Sequence, residues 1–258
     1  MEFIFDHFAP HQLSAIRAVT DVFKGQPNAG GFFDNSQSDI GSVEFGERGI
    51  GNRLVLSPEA LLKNISEIQK SNGLAESVNL VPRVDISEEL SAKGVDLNIS
   101  VEMETGTGKT YSYIRTIYEL YKTYGFCKFV IVVPSVAIRE GTLKNLEITA
   151  KEMRALYGVP ANYTVWDSAN RNALRNFSAS NSLQILIINI DSFASDSNII
   201  NTVTEQGVKP IEFLQATNPI VIVDEPQNME TPIRRRAIDN LNPLCTLRYS
   251  ATHKNPYN

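Results

Sequence analysis

A strand-like stretch that runs into a glycine-rich loop, with a helix opening directly behind it, constrains this chain more than any other feature. Leu97-Asn98-Ile99-Ser100-Val101-Glu102-Met103 alternates with the period of a β-strand, and Tyr111 to Tyr124 reads as a helix. Between them lies Met103-Glu104-Thr105-Gly106-Thr107-Gly108-Lys109-Thr110. Glycine in such a loop lets successive backbone N–H groups converge on an anion, where a Cβ would stand in the way. The positive N-terminus of the following helix adds to that anion site. The spacing is that of a phosphate-binding loop, G-x-x-x-x-G-K-[ST], with Met103 where the first Gly is usual. Lys109 can place its ammonium on the β- and γ-phosphates, and the Thr110 hydroxyl can ligate Mg²⁺. The loop points to a nucleoside triphosphate and is silent on what the nucleotide drives.

The rest of the chain fits the layout this unit demands. Phe129–Val133 is an apolar run stopped by Pro134, and Leu183–Ile190 and Ile220–Val223 are two more. Thr246–Tyr249 is a fourth. Helical patterns are predicted between them at Ala137–Tyr157, Asn170–Phe177, Ile211–Ala216 and Thr231–Asn240. Apolar strands alternating with helices imply an α/β fold, a mostly parallel central sheet covered on both faces. Ligands of such sheets bind at the carboxyl ends of the strands, where both the glycine loop and Asp224 fall.

The first 94 residues follow a different pattern. Pro10 to Phe23 is predicted to be a helix with Leu13, Ile16, Val19, Val22 and Phe23 on one side. Gly25 to Gly51 is rich in Gly, Asn, Ser and Asp and reads as an irregular excursion. Ser57-Pro58-Glu59 starts a second helix, with Leu61, Leu62, Ile65 and Ile68 as its apolar face and Gly73 as its stop. The expected organisation is an N-terminal helix in 1–25, an insertion packed on or near the main lobe in 26–94, and the nucleotide-binding lobe in 95–258.

Charge excludes one class of function. Acidic residues number 29 against 24 basic ones, for a net charge of −5 and a pI near 5.3, so nucleic acid would not be coated through bulk positive charge. Arg234-Arg235-Arg236 is the one dense basic run and reads as a solvated helix face. No apolar run approaches the roughly 20 residues that span a bilayer, and the N-terminus lacks the basic and apolar regions of a signal peptide. Cys127 and Cys245 have no metal-type spacing, which suits core positions in a reduced, cytoplasmic setting.

Asp224-Glu225-Pro226-Gln227 closes an apolar strand. Asp224 there can hold Mg²⁺ opposite Thr110, and Glu225 can accept a proton from a water attacking the γ-phosphate. Ser250 and Thr252 follow the last strand and could bond the acidic pair, relaying its state together with Gln227. His253 reads as a loop histidine. Gln12, in the first helix, has the amide geometry that pairs with N6 and N7 of adenine. Ser135, Arg139 and Gly141 after one buried strand, and Asn189 and Ser192 after another, could hold a nucleic-acid backbone without reading sequence.

In this order these motifs resemble the first RecA-like lobe of a superfamily 2 helicase, a group that varies the first Gly of the phosphate loop. Glu102–Tyr111, Tyr113–Ile117, Val133–Gly141 and Asp224–Gln227 narrow the resemblance to the restriction (Res) subunit of type III restriction–modification enzymes. It covers about Phe8 to His253 and is weakest in 26–94. The resemblance implies a RecA-like P-loop NTPase three-layer sandwich with ATP and Mg²⁺ as cofactors. It assigns the phosphates to Thr105, Gly106, Thr107, Gly108 and Lys109, and Mg²⁺ to Thr110 and Asp224. Glu225 would orient water, Gln12 adenine, and Gln227, Ser250 and Thr252 would couple to a second lobe. The implied partners are duplex DNA, along which hydrolysis drives motion, and a Mod methyltransferase subunit that supplies specificity. The second lobe with its arginine fingers, and the nuclease domain, are expected outside these 258 residues. Since arginine fingers contribute about 10³–10⁵ in rate, the lobe alone should hydrolyse ATP poorly. Two rivals stand beside this reading: another superfamily 2 DNA or RNA helicase, and a non-catalytic scaffold that keeps the nucleotide fold. A nuclease signature downstream would decide against the first. Retention of Lys109, Thr110, Asp224 and Glu225 together argues against the second.

Overall fold

A computed structural model of the chain describes residues 9–28, 39–40, 43–46, 48–80, 97–205 and 207–251. Among them, nine strands and seven α-helices follow the chain. The first part holds α1 (Pro10–Asp21), β1 (Asp39–Ile40), β2 (Val43–Gly46), β3 (Gly49–Asn52) and α2 (Pro58–Ser71). The strand–loop–helix unit is β4 (Asn98–Glu102), the glycine loop, and α3 (Lys109–Tyr124). Then come β5 (Lys128–Val133), α4 (Val136–Tyr157), β6 (Asn162–Val165), α5 (Asn172–Ala179) and β7 (Gln184–Asn189). The chain continues through α6 (Pro210–Gln215), β8 (Ile220–Asp224), α7 (Pro232–Asp239) and β9 (Cys245–Ser250).

β4 to β9 form one six-stranded sheet in the order β4-β9-β8-β5-β7-β6, with every pairing parallel. The side-chain period of a strand, two residues, divides its apolar runs between two cores. Phe129, Ile131 and Val133 of β5, Ile185 and Ile187 of β7, and Ile220 and Ile222 of β8 join helices α1 to α4. Val130, Val132, Leu186, Ile188, Val221 and Val223 join α5 to α7 on the opposite face. This is the three-layer α/β sandwich expected from the pattern, and it explains why β5, β7 and β8 are apolar at every central position. Each fully buried Val, Ile or Phe contributes roughly 1.5–3 kcal/mol, so these strands form the most heavily stabilised part of the lobe.

The N-terminal helix is bound into this body. α1 packs on α3, the Tyr124 hydroxyl donates to the Thr20 carbonyl at 3.0 Å, and Phe23 lies edge-on to Tyr124 and Phe126.

Residues 39–40, 43–46 and 49–52 form a three-stranded antiparallel sheet rather than the irregular excursion expected from composition. Two of the glycines that suggested irregularity mark close approach instead. A Cβ on Gly49 would lie 2.6 Å from the Ser178 carbonyl oxygen, and one on Gly51 would lie 2.8 Å from that of Ala216. Asn52, fully buried, fastens this sheet to the lobe. Its Oδ1 accepts from the N–H groups of Cys127 (2.8 Å) and Lys128 (3.2 Å), and its Nδ2 donates to the carbonyls of Lys128 (2.8 Å) and Asn218 (3.2 Å). Lys128 is buried too, and its ammonium donates to the Phe177, Ser178 and Ser180 carbonyls at the C-terminus of α5, where helix carbonyls lack partners. Strand β6 was not anticipated. Asn162-Tyr163-Thr164-Val165 is a short, half-exposed edge strand whose residues carry little apolar signal.

Candidate functional site

The glycine loop joins β4 to α3 at the carboxyl edge of the sheet. Gly106 (φ +82°) and Gly108 (φ +86°) lie in the left-handed region that residues with a Cβ avoid. A Cβ on Gly108 would also sit 2.5 Å from Gln12 Nε2. That amide donates to the Thr107 carbonyl at 2.9 Å, and His11, in its Nε2–H form, donates to the same oxygen at 3.1 Å. Gln12, predicted to face adenine, is thus fastened to the loop itself. The Thr107 hydroxyl turns back to the Glu104 carbonyl at 2.6 Å.

β8 delivers the acidic pair to the same edge. Asp224 is 6% exposed, and burial pushes its carboxyl up to about 6. The Tyr113 hydrogen bond opposes that rise, the neighbouring negative charge of Glu225 adds to it, and Lys109 opposes it. Tyr113 donates its hydroxyl to Asp224 Oδ2 at 3.2 Å. Glu225 has φ 56° and ψ 56°, a left-handed conformation that is uncommon for a residue with a side chain and tends to cluster at functional positions. Its carboxylate is gripped from two sides: Lys109 Nζ lies 3.6 Å from Oε1, and Gln227 Nε2 donates to Oε2. Ser250 Oγ in turn donates to Gln227 Oε1 at 2.9 Å. Lys109, Glu225, Gln227 and Ser250 therefore form one connected chain of polar contacts. It runs from the glycine loop across β8 to the end of β9.

Gln12, Gly106, Gly108, Lys109, Thr110, Asp224 and Glu225 line one cleft of about 510 Å³, a size ordinary for a small-molecule site. Tyr111, Ile138 and Asn145 complete its wall. A larger, mainly apolar groove of about 900 Å³ runs between α1, α2 and β4. Lys109 and the acidic pair line the smaller cleft and not that groove. Among the described residues no group of three or more His, Cys, Asp or Glu could hold a metal alone. Mg²⁺ takes only one or two protein oxygens and completes its shell with phosphate and water. Thr110 and Asp224, hard oxygen donors on one cleft wall, fit it.

The remaining predicted positions divide. Ser135 and Asn189 spend their side chains on caps, accepting from the N–H groups of Ile138 (3.3 Å) and Asp191 (3.0 Å). Arg139 pairs with Glu140 at 2.8 Å, and the space beside Gly141 is open. These residues and Ser192 lie after β5 and β7, at the sheet edge that carries the cleft but outside its lining. Thr105 is exposed beside the loop, and Thr252 lies outside the described residues. Two residues of the basic run are held by acidic partners rather than simply solvated: Arg234 by Asp191 at 2.8 Å, and Arg235 by Glu230. Tyr111, Tyr113, Ile138 and Asn145 were not among the site residues expected from the sequence. Helical spacing was the available signal, three residues from Thr110 to Tyr113 and seven from Ile138 to Asn145.

A family model described as "Type III restriction enzyme, res subunit" matches residues 7–255. The chain is 28% identical over 286 residues to the EcoPI Res subunit of Escherichia phage P1, covering 99% of this chain and 26% of that protein. It is 29% identical over 276 residues to the EcoP15I Res subunit of Escherichia coli, covering 96% and 26%. The chain therefore spans about a quarter of the length of these relatives. Solved structures resemble it more distantly. Mss116p bound to ssRNA and AMP-PNP gives a TM-score of 0.43 at 16% identity, over 86% of this chain and 42% of that one. The type ISP restriction–modification enzyme LlaGI with a DNA substrate mimic gives 0.39 at 14% identity, over 60% and 15%. Such scores carry no weight for function.

Proposed function

This chain belongs to the type III restriction enzyme res subunit family, and on that premise we propose that it is an ATP-binding helicase lobe coupling hydrolysis to motion on duplex DNA. The observation that carries the reading is the convergence of Lys109, Thr110, Asp224 and Glu225 on one cleft behind a left-handed glycine loop. In the proposed mechanism the loop N–H groups and the α3 N-terminus receive the phosphates, and Lys109 leaves Glu225 to neutralise them. Thr110 and Asp224 would hold Mg²⁺, which would supply further charge neutralisation. Glu225, released from Lys109 but still gripped by Gln227, orients the attacking water and accepts its proton. Gln12 contacts adenine while keeping its bond to the loop, so nucleotide occupancy is felt by α1.

Ser250 and Gln227, with Thr252, pass the state of Glu225 toward a second lobe. Ser135, Arg139, Gly141, Asn189 and Ser192 meet the DNA backbone. In the whole protein a nuclease domain cuts and a Mod methyltransferase subunit supplies the site, in the cytoplasm. Equilibrium binding of ATP with Mg²⁺ to the chain and to Lys109→Ala tests the cleft. Loss of a charge-assisted contact predicts weakening by about ten- to a hundredfold. Equal affinities would refute the assignment.

A further inference from the structure

Tyr113 is completely buried, one turn beyond Thr110 on α3. Its ring stands edge-on to Tyr249, centroids 5.6 Å apart at 63°, so the hydroxyl has little freedom to swing. That hydroxyl donates to Asp224 Oδ2 at 3.2 Å. It also lies 3.4 Å from Thr142 Oγ1 on α4, with the Thr110 side chain close by. A phenylalanine would fill the same space against Tyr249. A buried hydroxyl carries a desolvation cost unless it is bonded, and here its one proton goes to the acidic residue of the cleft.

We propose that Tyr113 is the positioning residue of the metal site: its hydroxyl holds one oxygen of Asp224 and leaves the other for Mg²⁺. The inference rests on the ATP–Mg²⁺ reading above. Tyr113 donates to Asp224 and stands near Thr110, the two side chains assigned to the metal. Groups that orient a ligand from behind govern metal affinity without touching the ion. Through Thr142 the same hydroxyl reaches α4, the helix that carries Ile138 and Asn145 in the cleft wall.

The test is the Mg²⁺ concentration that half-saturates binding of a fluorescent ATP analogue to the 258-residue chain. Tyr113→Phe is expected to raise it about tenfold, in the range found when such orienting groups are removed. Analogue binding in EDTA should stay unchanged, which also reports that the variant is folded. Tyr249→Phe removes a buried hydroxyl from the same ring pair, one bonded to Thr116 and not to Asp224, and should leave the Mg²⁺ midpoint in place. A wild-type midpoint for Tyr113→Phe, or an equal shift for Tyr249→Phe, overturns the proposal. Asp224→Asn separates the two levels: if it fails to move the midpoint, the metal assignment itself is wrong and Tyr113 falls with it.

Discussion

Acidification should weaken metal-dependent nucleotide binding well before an ordinary aspartate would protonate. The Asp224 carboxyl titrates near 6 because burial disfavours its charge, against 3.8 for a free aspartate. At pH 5 a group at about 6 is roughly one-tenth ionised, whereas one at about 4 is roughly nine-tenths ionised. Mg²⁺ affinity contributed by Asp224 should therefore fall about tenfold per pH unit below 6 and stay level from 7 to 8. Folding stability moves the other way. The folded value lies above the unfolded one, so this group's contribution is fully present below pH 4 and is lost as pH rises through 6, on the order of 3 kcal/mol. The assay is an Mg²⁺ titration of analogue binding from pH 5 to 8, paired with urea unfolding across pH 4 to 7. Phosphate protons titrate nearby, so the informative quantity is the difference between wild type and Asp224→Asn. A difference that is flat down to pH 5, or that breaks near pH 4, would refute the account of Asp224.

Other consequences can be measured on the same chain. Glu225→Gln removes the carboxylate that holds Lys109 at 3.6 Å, so ATP should bind more tightly by equilibrium titration while hydrolysis by the full-length protein is lost. Asn52→Ala strands the Cys127 and Lys128 N–H groups and two carbonyls, and should cost about 2–4 kcal/mol in urea unfolding without changing the affinity of the folded form for ATP. Gly51→Ala drives a Cβ to 2.8 Å from the Ala216 carbonyl and should cost about 1–3 kcal/mol by the same measurement.

What could be read from the chain in advance was local. The glycine loop, the acidic pair behind Ile220–Val223 and the apolar strands each announce themselves within a few residues, and each lies where the pattern places it. Contacts between distant segments carry no such mark. Nothing near Gln12 signals that its amide meets Thr107, 95 positions on. The Ser250–Gln227–Glu225 contacts arise only because β9 pairs beside β8. Composition misled at 39–52, where glycine serves close packing of β3 against neighbouring backbone. Tyr113 was hidden for a related reason: on a helix it reads as one more core aromatic, and only the fold shows its hydroxyl meeting Asp224.

The central claim is that Lys109 holds phosphate directly while Asp224 acts through the metal. Calorimetric titration of ATP into wild type, Lys109→Ala and Asp224→Asn, each with Mg²⁺ and with EDTA, separates these roles. The expected result is that Lys109→Ala weakens binding in both conditions and Asp224→Asn weakens it only with Mg²⁺. Equal losses for Asp224→Asn in Mg²⁺ and EDTA, or full affinity for Lys109→Ala, would contradict the account.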